Sequence, residues 1–143
     1  MTTPRTTYSI GQVAEQLTIP RSTLRYYDSL HFLPHLQKSA NGVRQFAQED
    51  IDTIRVIECL KKAGLSIKEI QKFTELIAQG DASLAQRQQM FYEIRQNFAE
   101  TLRQMQQTMA VLDFKCRYYD QALADGTEKY AQQAMPISSI LKD

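Results

Sequence analysis

The sequence predicts a mostly α protein, a winged helix-turn-helix head followed by a long coiled-coil helix, on three observations. Two short helical stretches lie on either side of the break "TIP" at residues 18–20. An Asn41-Gly42 pair then sits between short extended arms, and a seven-residue apolar repeat runs through the C-terminal half. With 143 residues, 43% hydrophobic and 23% charged, the chain falls in the ordinary globular class, with room for one small domain plus an extended element.

Ser9 with Gln12 forms a capping-box signature, and Val13, Ala14 and Leu17 recur at helical spacing, so a first helix spans about residues 10 to 17. Pro20 suits the first position of a second helix, where its missing N–H costs nothing; that helix runs to about Leu30, before Pro34. Two short helices joined by a tight turn make a helix-turn-helix candidate. In "LQKSANGVRQF", residues 36 to 46, Asn41-Gly42 predicts a type I′ hairpin that serves as a wing. Ile51, Ile54, Ile57 and Leu60 mark a third helix over about 48 to 62, ended by Gly64. Ser66 with Glu69 opens a fourth, carried by Ile67, Ile70, Phe73 and Ile77 and stopping near Gly80.

Beyond this point Leu84, Phe91, Phe98, Met105, Leu112 and Tyr119 recur every seven residues, and Leu102, Met109, Cys116 and Leu123 do so at an offset of four. About 40 helical residues at 1.5 Å each reach roughly 60 Å, more than the head can cover. The seam therefore needs a partner, most simply the same helix of a second copy, with Phe98, Leu102, Met105, Met109, Leu112 and Cys116 as dimerisation residues. Gln88 and Arg95 interrupt its start, so the register is firmest from Phe98. The expected division is a winged helix-turn-helix head over 1–80, a dimerisation helix over 81–125 and a short tail over 126–143.

The stretch "RSTLRYYDSL", residues 21 to 30, carries the function. At 100° per residue, Leu24, Tyr27 and His31 share one side, while Arg21, Ser22, Arg25, Tyr26 and Ser29 fill an arc opposite. An arc of guanidinium, hydroxyl and phenol suits DNA, because it pairs with phosphate oxygens and guanine edges; a merely solvated basic face is the plainer alternative. Net charge is only +1, so basicity has to be local. Lys38 and Arg44 flank the hairpin tip and Lys61 and Lys62 end the third helix, three elements that a winged helix brings to one side of a duplex.

"YSIGQVAEQLTIPRSTLRYYDSLHFLP", then "NGVRQF", then "IECLKKAGLSIKEI", resembles the DNA-binding head of the MerR family of transcription regulators, followed by that family's dimerisation helix. The resemblance covers residues 8 to 80 in detail and the coiled coil in pattern. It implies a homodimer joined by an antiparallel coiled coil, which bends and untwists a promoter so that RNA polymerase can use it. It places Ser22, Thr23 and Arg25 at the major groove and Tyr26, Tyr27, Lys38, Arg44 and Lys61 on phosphates; Arg21 joins the DNA-binding set from its place on the arc. The helical wheel, by contrast, turns Tyr27 towards the core. Val43, Phe46 and Ala47 depart from the family pattern at the wing and at the third helix's cap. A symmetric dimer predicts pseudo-palindromic half-sites in double-stranded DNA.

Metal sensors of the family use cysteines at the start of the dimerisation helix, where this chain has "GDASLAQ"; an iron–sulfur cluster takes about four cysteines and the chain has two, Cys59 and Cys116. Metal sensing and a cofactor are thus not expected, and the tail leaves no room for the drug-binding domain of many relatives. Cys59 lies four residues after Arg55 and three before Lys62, cations that favour a thiolate. It also edges the apolar arc near Val56 and Ala63, where a buried structural thiol fits equally. "ECLKKAGLS" resembles the family branch that responds to aldehydes and other electrophiles, which implies sensing at Cys59. A non-covalent or metal effector, and a coiled-coil adapter whose basic head binds protein, are the alternatives. An enzyme is not expected: a Cys59 pair with His31 or His35 lacks an oxyanion donor set and a second acid. No apolar run approaches a membrane span and "MTTPRTTYS" lacks a signal-peptide core, so a cytoplasmic protein without membrane contact is expected, its thiols free.

Overall fold

The computed structural model describes residues 5–141. In chain order it contains β1 (Thr7–Tyr8), α1 (Ile10–Leu17), α2 (Arg21–Ser29), β2 (Gln37–Lys38), β3 (Arg44–Ala47), α3 (Gln48–Lys62), α4 (Ile67–Ala78), α5 (Leu84–Asp125) and α6 (Lys129–Ala134). Short 3-10 turns occupy Gly80–Ser83 and Ile137–Ser139. The chain divides into two compact units, Met1–Tyr92 and Glu93–Asp143.

In the first unit, α1 begins at Ser9 with the expected reciprocal cap: the Gln12 amide donates to Ser9 Oγ at 3.2 Å and the Ser9 amide donates to Gln12 Oε1 at 2.8 Å. It ends at Thr18, held left-handed at φ 55° while the Ile19 amide reaches back to the Ala14 carbonyl at 3.0 Å. A β-branched residue there costs about 1–2 kcal/mol against glycine, so the tight turn before α2 is maintained against local preference. Pro20 caps α2 from just outside rather than standing at its first helical position.

The far end of α2 corrects one expectation. His31 does not pack beside Leu24; it is exposed and left-handed, φ 61°, and turns the chain so that the Phe32 amide bonds the Tyr27 carbonyl at 3.0 Å. The last carbonyls of α2 then meet α4: Gln71 Nε2 donates to Leu30 O at 3.1 Å and Thr74 Oγ1 to His31 O at 3.4 Å.

The wing is a three-stranded antiparallel sheet in the order β1-β3-β2, with Tyr8 opposite Phe46 and Lys38 opposite Arg44. The first strand has only two residues and no alternation to read, so only the hairpin was foreseeable. Its turn is not type I′, which needs φ above zero at both central residues. Gly42 alone is left-handed, at φ 78°, and the Ser39 amide donates to the Val43 carbonyl at 2.8 Å.

Ala47 has no side-chain oxygen to cap α3, and only the reverse half of the capping box forms: the Asp50 carboxylate accepts the Ala47 amide at 2.8 Å. Burial pushes that carboxyl above its ordinary value, partly offset by the same hydrogen bond. Ile51, Ile54, Ile57 and Leu60 form the core side of α3 as their spacing predicts. In α4 the buried set is Ile70, Phe73, Thr74 and Leu76, whereas Ile67 is 45% exposed and Ile77 only half-buried. At the α4–α5 corner, buried Ser83 donates to the Leu76 carbonyl and accepts from Arg87 Nε at 3.0 Å. Phe91, the second residue of the heptad series, packs edge-on against Phe73 at 5.2 Å and so belongs to the head.

The second unit is built on the rest of α5. Residues 126–143, expected as a plain tail, include a helix that folds back: Gly126 turns left-handed at φ 71°, the Thr127 amide bonds the Ala122 carbonyl at 3.1 Å, and Ala131 of α6 packs with Met135 on Tyr118 and Ala122. Phe114, Tyr118 and Ala122, spaced four apart, are the buried face of this part of α5. Phe98, Leu102, Met105, Met109, Leu112, Cys116, Tyr119 and Leu123 are all exposed in the single chain.

Candidate nucleic-acid interface

Helix α2 sorts its side chains by period. Leu24 and Tyr27 are buried, Thr23 is half-buried, and Arg21, Ser22, Arg25, Tyr26 and Ser29 are exposed. Ser29 Oγ donates to the Tyr26 carbonyl at 2.6 Å, which ties that hydroxyl to the helix. Arg21 lies over α1: a methyl at Gly11 would come within 2.6 Å of its Nη2, so the glycine makes room for the guanidinium.

The cations of the candidate face fall into two groups. Among the described residues, Arg21 and Arg25 enter no ion pair. Lys38, Arg44 and Lys61 are each held by a carboxylate. Asp28, on α2, accepts Arg44 Nε at 2.7 Å and pairs with Lys38 Nζ at 3.3 Å, so both strands of the hairpin are fastened to α2. Burial raises the Asp28 carboxyl, yet the hydrogen bonds from Arg44 and Lys38 outweigh it and hold the group below its ordinary 3.8.

A group depressed in the folded state contributes stability that is present above its unfolded value and is lost as pH falls through its folded value. Asp28→Asn is therefore expected to lower the urea midpoint above about pH 4 and to flatten its decline below that, by about 1 kcal/mol or less. Equal acid sensitivity in variant and wild type would rule this strut out.

Tyr27 has its ring on the core side, as the helical wheel has it. Its ring is only 2% exposed, against Phe32 at 5.4 Å, while its hydroxyl reaches the surface of α3. There it donates to Glu58 Oε1 and accepts from Lys61 Nζ at 2.7 Å. Burial and the Glu58 hydrogen bond push the phenol above its ordinary value; the Tyr27 hydroxyl in turn raises Lys61. Asp28 and Glu58 were not singled out by sequence reasoning. Glu58 stands three residues before Lys61, a readable helical pair, but Tyr27 lies 31 residues away and nothing local announces it.

Cys59 and Cys116 are free and exposed, so within the single chain the buried reading of Cys59 does not hold. Val56 and Ala63 beside it are half-buried, and Arg55 and Lys62 are exposed. His31 and His35 are both exposed. Among the described residues no helix is long and apolar enough to cross a membrane.

The profile of the MerR HTH family regulatory proteins matches residues 8–76, which span β1 to α4. An HTH-type transcriptional regulator of Haemophilus influenzae is 30% identical over 123 residues, 86% of this chain and 91% of its own. The chain belongs to the MerR family. As a MerR protein it is a transcription regulator and not an enzyme. The Bacillus subtilis regulator AdhR is 35% identical over 92 residues, 64% of this MerR chain and 66% of AdhR. Among solved structures, HiNmlR, a MerR family regulator lacking the sensor domain and bound to promoter DNA, superposes with a TM-score of 0.78 at 30% identity, covering 87% of this chain and 99% of HiNmlR. A MerR regulator from Bacillus thuringiensis gives 0.72 at 28% identity, covering 78% and 98%.

Proposed function

We propose that this MerR regulator binds pseudo-palindromic promoter DNA as a homodimer and responds to aldehydes or other thiol-reactive compounds through Cys59. The observation that carries the DNA reading is the division of cations. Arg21 and Arg25, which pair with no carboxylate among the described residues, stand on the recognition helix with Ser22 and Thr23, where base edges are read. Lys38, Arg44, Lys61, Tyr26 and the Tyr27 hydroxyl lie at its flanks, where phosphates fix register. The solved structure of HiNmlR bound to promoter DNA supports a DNA partner for this chain. In this reading residues 1–80 grip DNA, the exposed seam of 81–125 joins two copies antiparallel, and 126–143 buttress the helix. The distorted promoter is then presented to RNA polymerase in the cytoplasm.

Three flanking cations on each of two heads neutralise about six phosphates, so log K is expected to fall against log salt with a slope of about −5. Anisotropy titrations over a salt series on a duplex from the chain's own upstream region check this. A salt-independent affinity would instead favour an adapter that binds protein through an apolar interface.

At Cys59 the thiolate sulfur adds to the carbonyl carbon of an aldehyde, the π pair moves to oxygen, and that oxygen takes a proton from water. The added hydroxyalkyl group on exposed Cys59 of α3 alters how the head packs and so moves the two heads. Cys59→Ala is expected to leave duplex affinity intact and to abolish induction of a reporter by formaldehyde. Undiminished induction would sink the sensing role.

A further inference from the structure

We infer that Glu58 is a resident stand-in for DNA phosphate: it holds the Tyr27 hydroxyl in the free protein, must release it when a duplex docks, and thereby sets the affinity of the head. This rests on the DNA-binding reading above. The Tyr27 ring is fixed by burial, by Phe32 at 5.4 Å and by the Lys61 ammonium 5.3 Å from its centroid, so its hydroxyl occupies one place and only the O–H can turn. A phenol has a single proton to donate, and in the free protein Glu58 Oε1 receives it.

Lys61 donates to the same hydroxyl at 2.7 Å and stands 3.5 Å from Glu58, which leaves its third N–H for another acceptor. Tyr27 and Lys61 line a groove of about 430 Å³ together with Thr23 and Tyr26 of the recognition helix; the rest of its lining is apolar, and Glu58 stands outside it beside Lys61. A phosphate arriving there meets Lys61 but finds the phenol proton committed and a second anion beside it.

Carboxylate and phosphodiester oxygens are both anionic acceptors for the same donors, so the two compete. Exchange is feasible because the Glu58 side chain is 31% exposed and can swing into water, whereas Asp28, 18% exposed and shared by two wing cations, is built as a strut. Freeing the phenol proton for a phosphate adds one hydrogen bond to the docked head, a net gain of about three- to tenfold in affinity. Because the contact is to backbone phosphate, the effect is independent of base sequence.

The test uses the full-length protein and a labelled mixed-sequence duplex of about 30 base pairs, long enough for two half-sites. Affinities are measured for wild type, Glu58→Gln, Tyr27→Phe and the double variant. Glu58→Gln, a weaker neutral acceptor for the phenol, is expected to bind about three- to tenfold more tightly, and this gain is expected to shrink when Tyr27 is phenylalanine. Glu58→Asp, run in parallel, keeps the charge but withdraws it from the hydroxyl and is expected to gain affinity as well, so that a folding defect in one variant, seen in its thermal melt, leaves the other to decide. Weaker or unchanged binding by the folded variant overturns the inference, as does an equal gain in the Tyr27→Phe background, which would mark a general charge effect. Wild-type protein that ignores the duplex would instead overturn the DNA-binding reading itself.

Discussion

Leu102→Glu combined with Met109→Glu is expected to convert the proposed dimer into a monomer and to lower affinity for an inverted-repeat duplex by about a hundredfold or more. Both side chains are exposed in the single chain and one heptad apart on the seam that runs from Phe98 to Leu123. Another face of α5 is covered locally by α6 through Tyr118 and Ala122, whereas the seam is a large apolar surface that no described residue of that unit covers. Pairing two copies would bury it, and an unpaired carboxylate buried in such a seam costs several kcal/mol. Two per chain exceed what a two-stranded coil of this length can absorb. Once separated, each head binds DNA without the effective concentration that its partner supplies. Sedimentation equilibrium reads the mass and anisotropy the affinity; a variant that remains dimeric would show that the copies meet elsewhere.

Phe46→Ala is expected to lower unfolding free energy by about 3–5 kcal/mol, a large share of the roughly 5–15 kcal/mol of a typical domain. Phe46 is fully buried on β3, the central wing strand, opposite Tyr8. The position sits among elements joined at both edges, so collapse around the lost ring is restricted and a cavity remains. Urea denaturation followed by circular dichroism measures the loss. A drop under about 1 kcal/mol, the ordinary effect of a substitution, would mean that the wing is not anchored through this ring. Because β3 carries Arg44, DNA affinity is expected to fall with stability.

Much of the fold was legible because it rests on local chemistry. The capping residues Ser9 and Ser66 and the four-residue series from Ile51 to Leu60 act over one or two turns, and α1 and α3 span the residues their patterns predict. Errors arose where distant packing overrides a local preference. Thr18 and His31 are left-handed without being glycine, because the chain on each side is already held, and His31 is exposed although its helical phase points inward. Phe91 keeps the heptad spacing yet packs on Phe73, since period alone does not say which surface covers an apolar residue. The two-residue β1 is too short to carry a period at all.

The candidate site divides in the same way. The sequence by itself determined that α2 presents arginine, hydroxyl and phenol on one arc and that the wing and the end of α3 carry further cations, because helical and strand periods assign faces residue by residue. Only the tertiary structure decided which cations are restrained and by what. Asp28 reaches Arg44 across 16 residues, and Glu58 and Lys61 meet the Tyr27 hydroxyl across 31 and 34. Such contacts depend on α2, α3 and the wing packing around Leu24, Phe32 and Phe46, a geometry that forms only once their apolar faces are buried together.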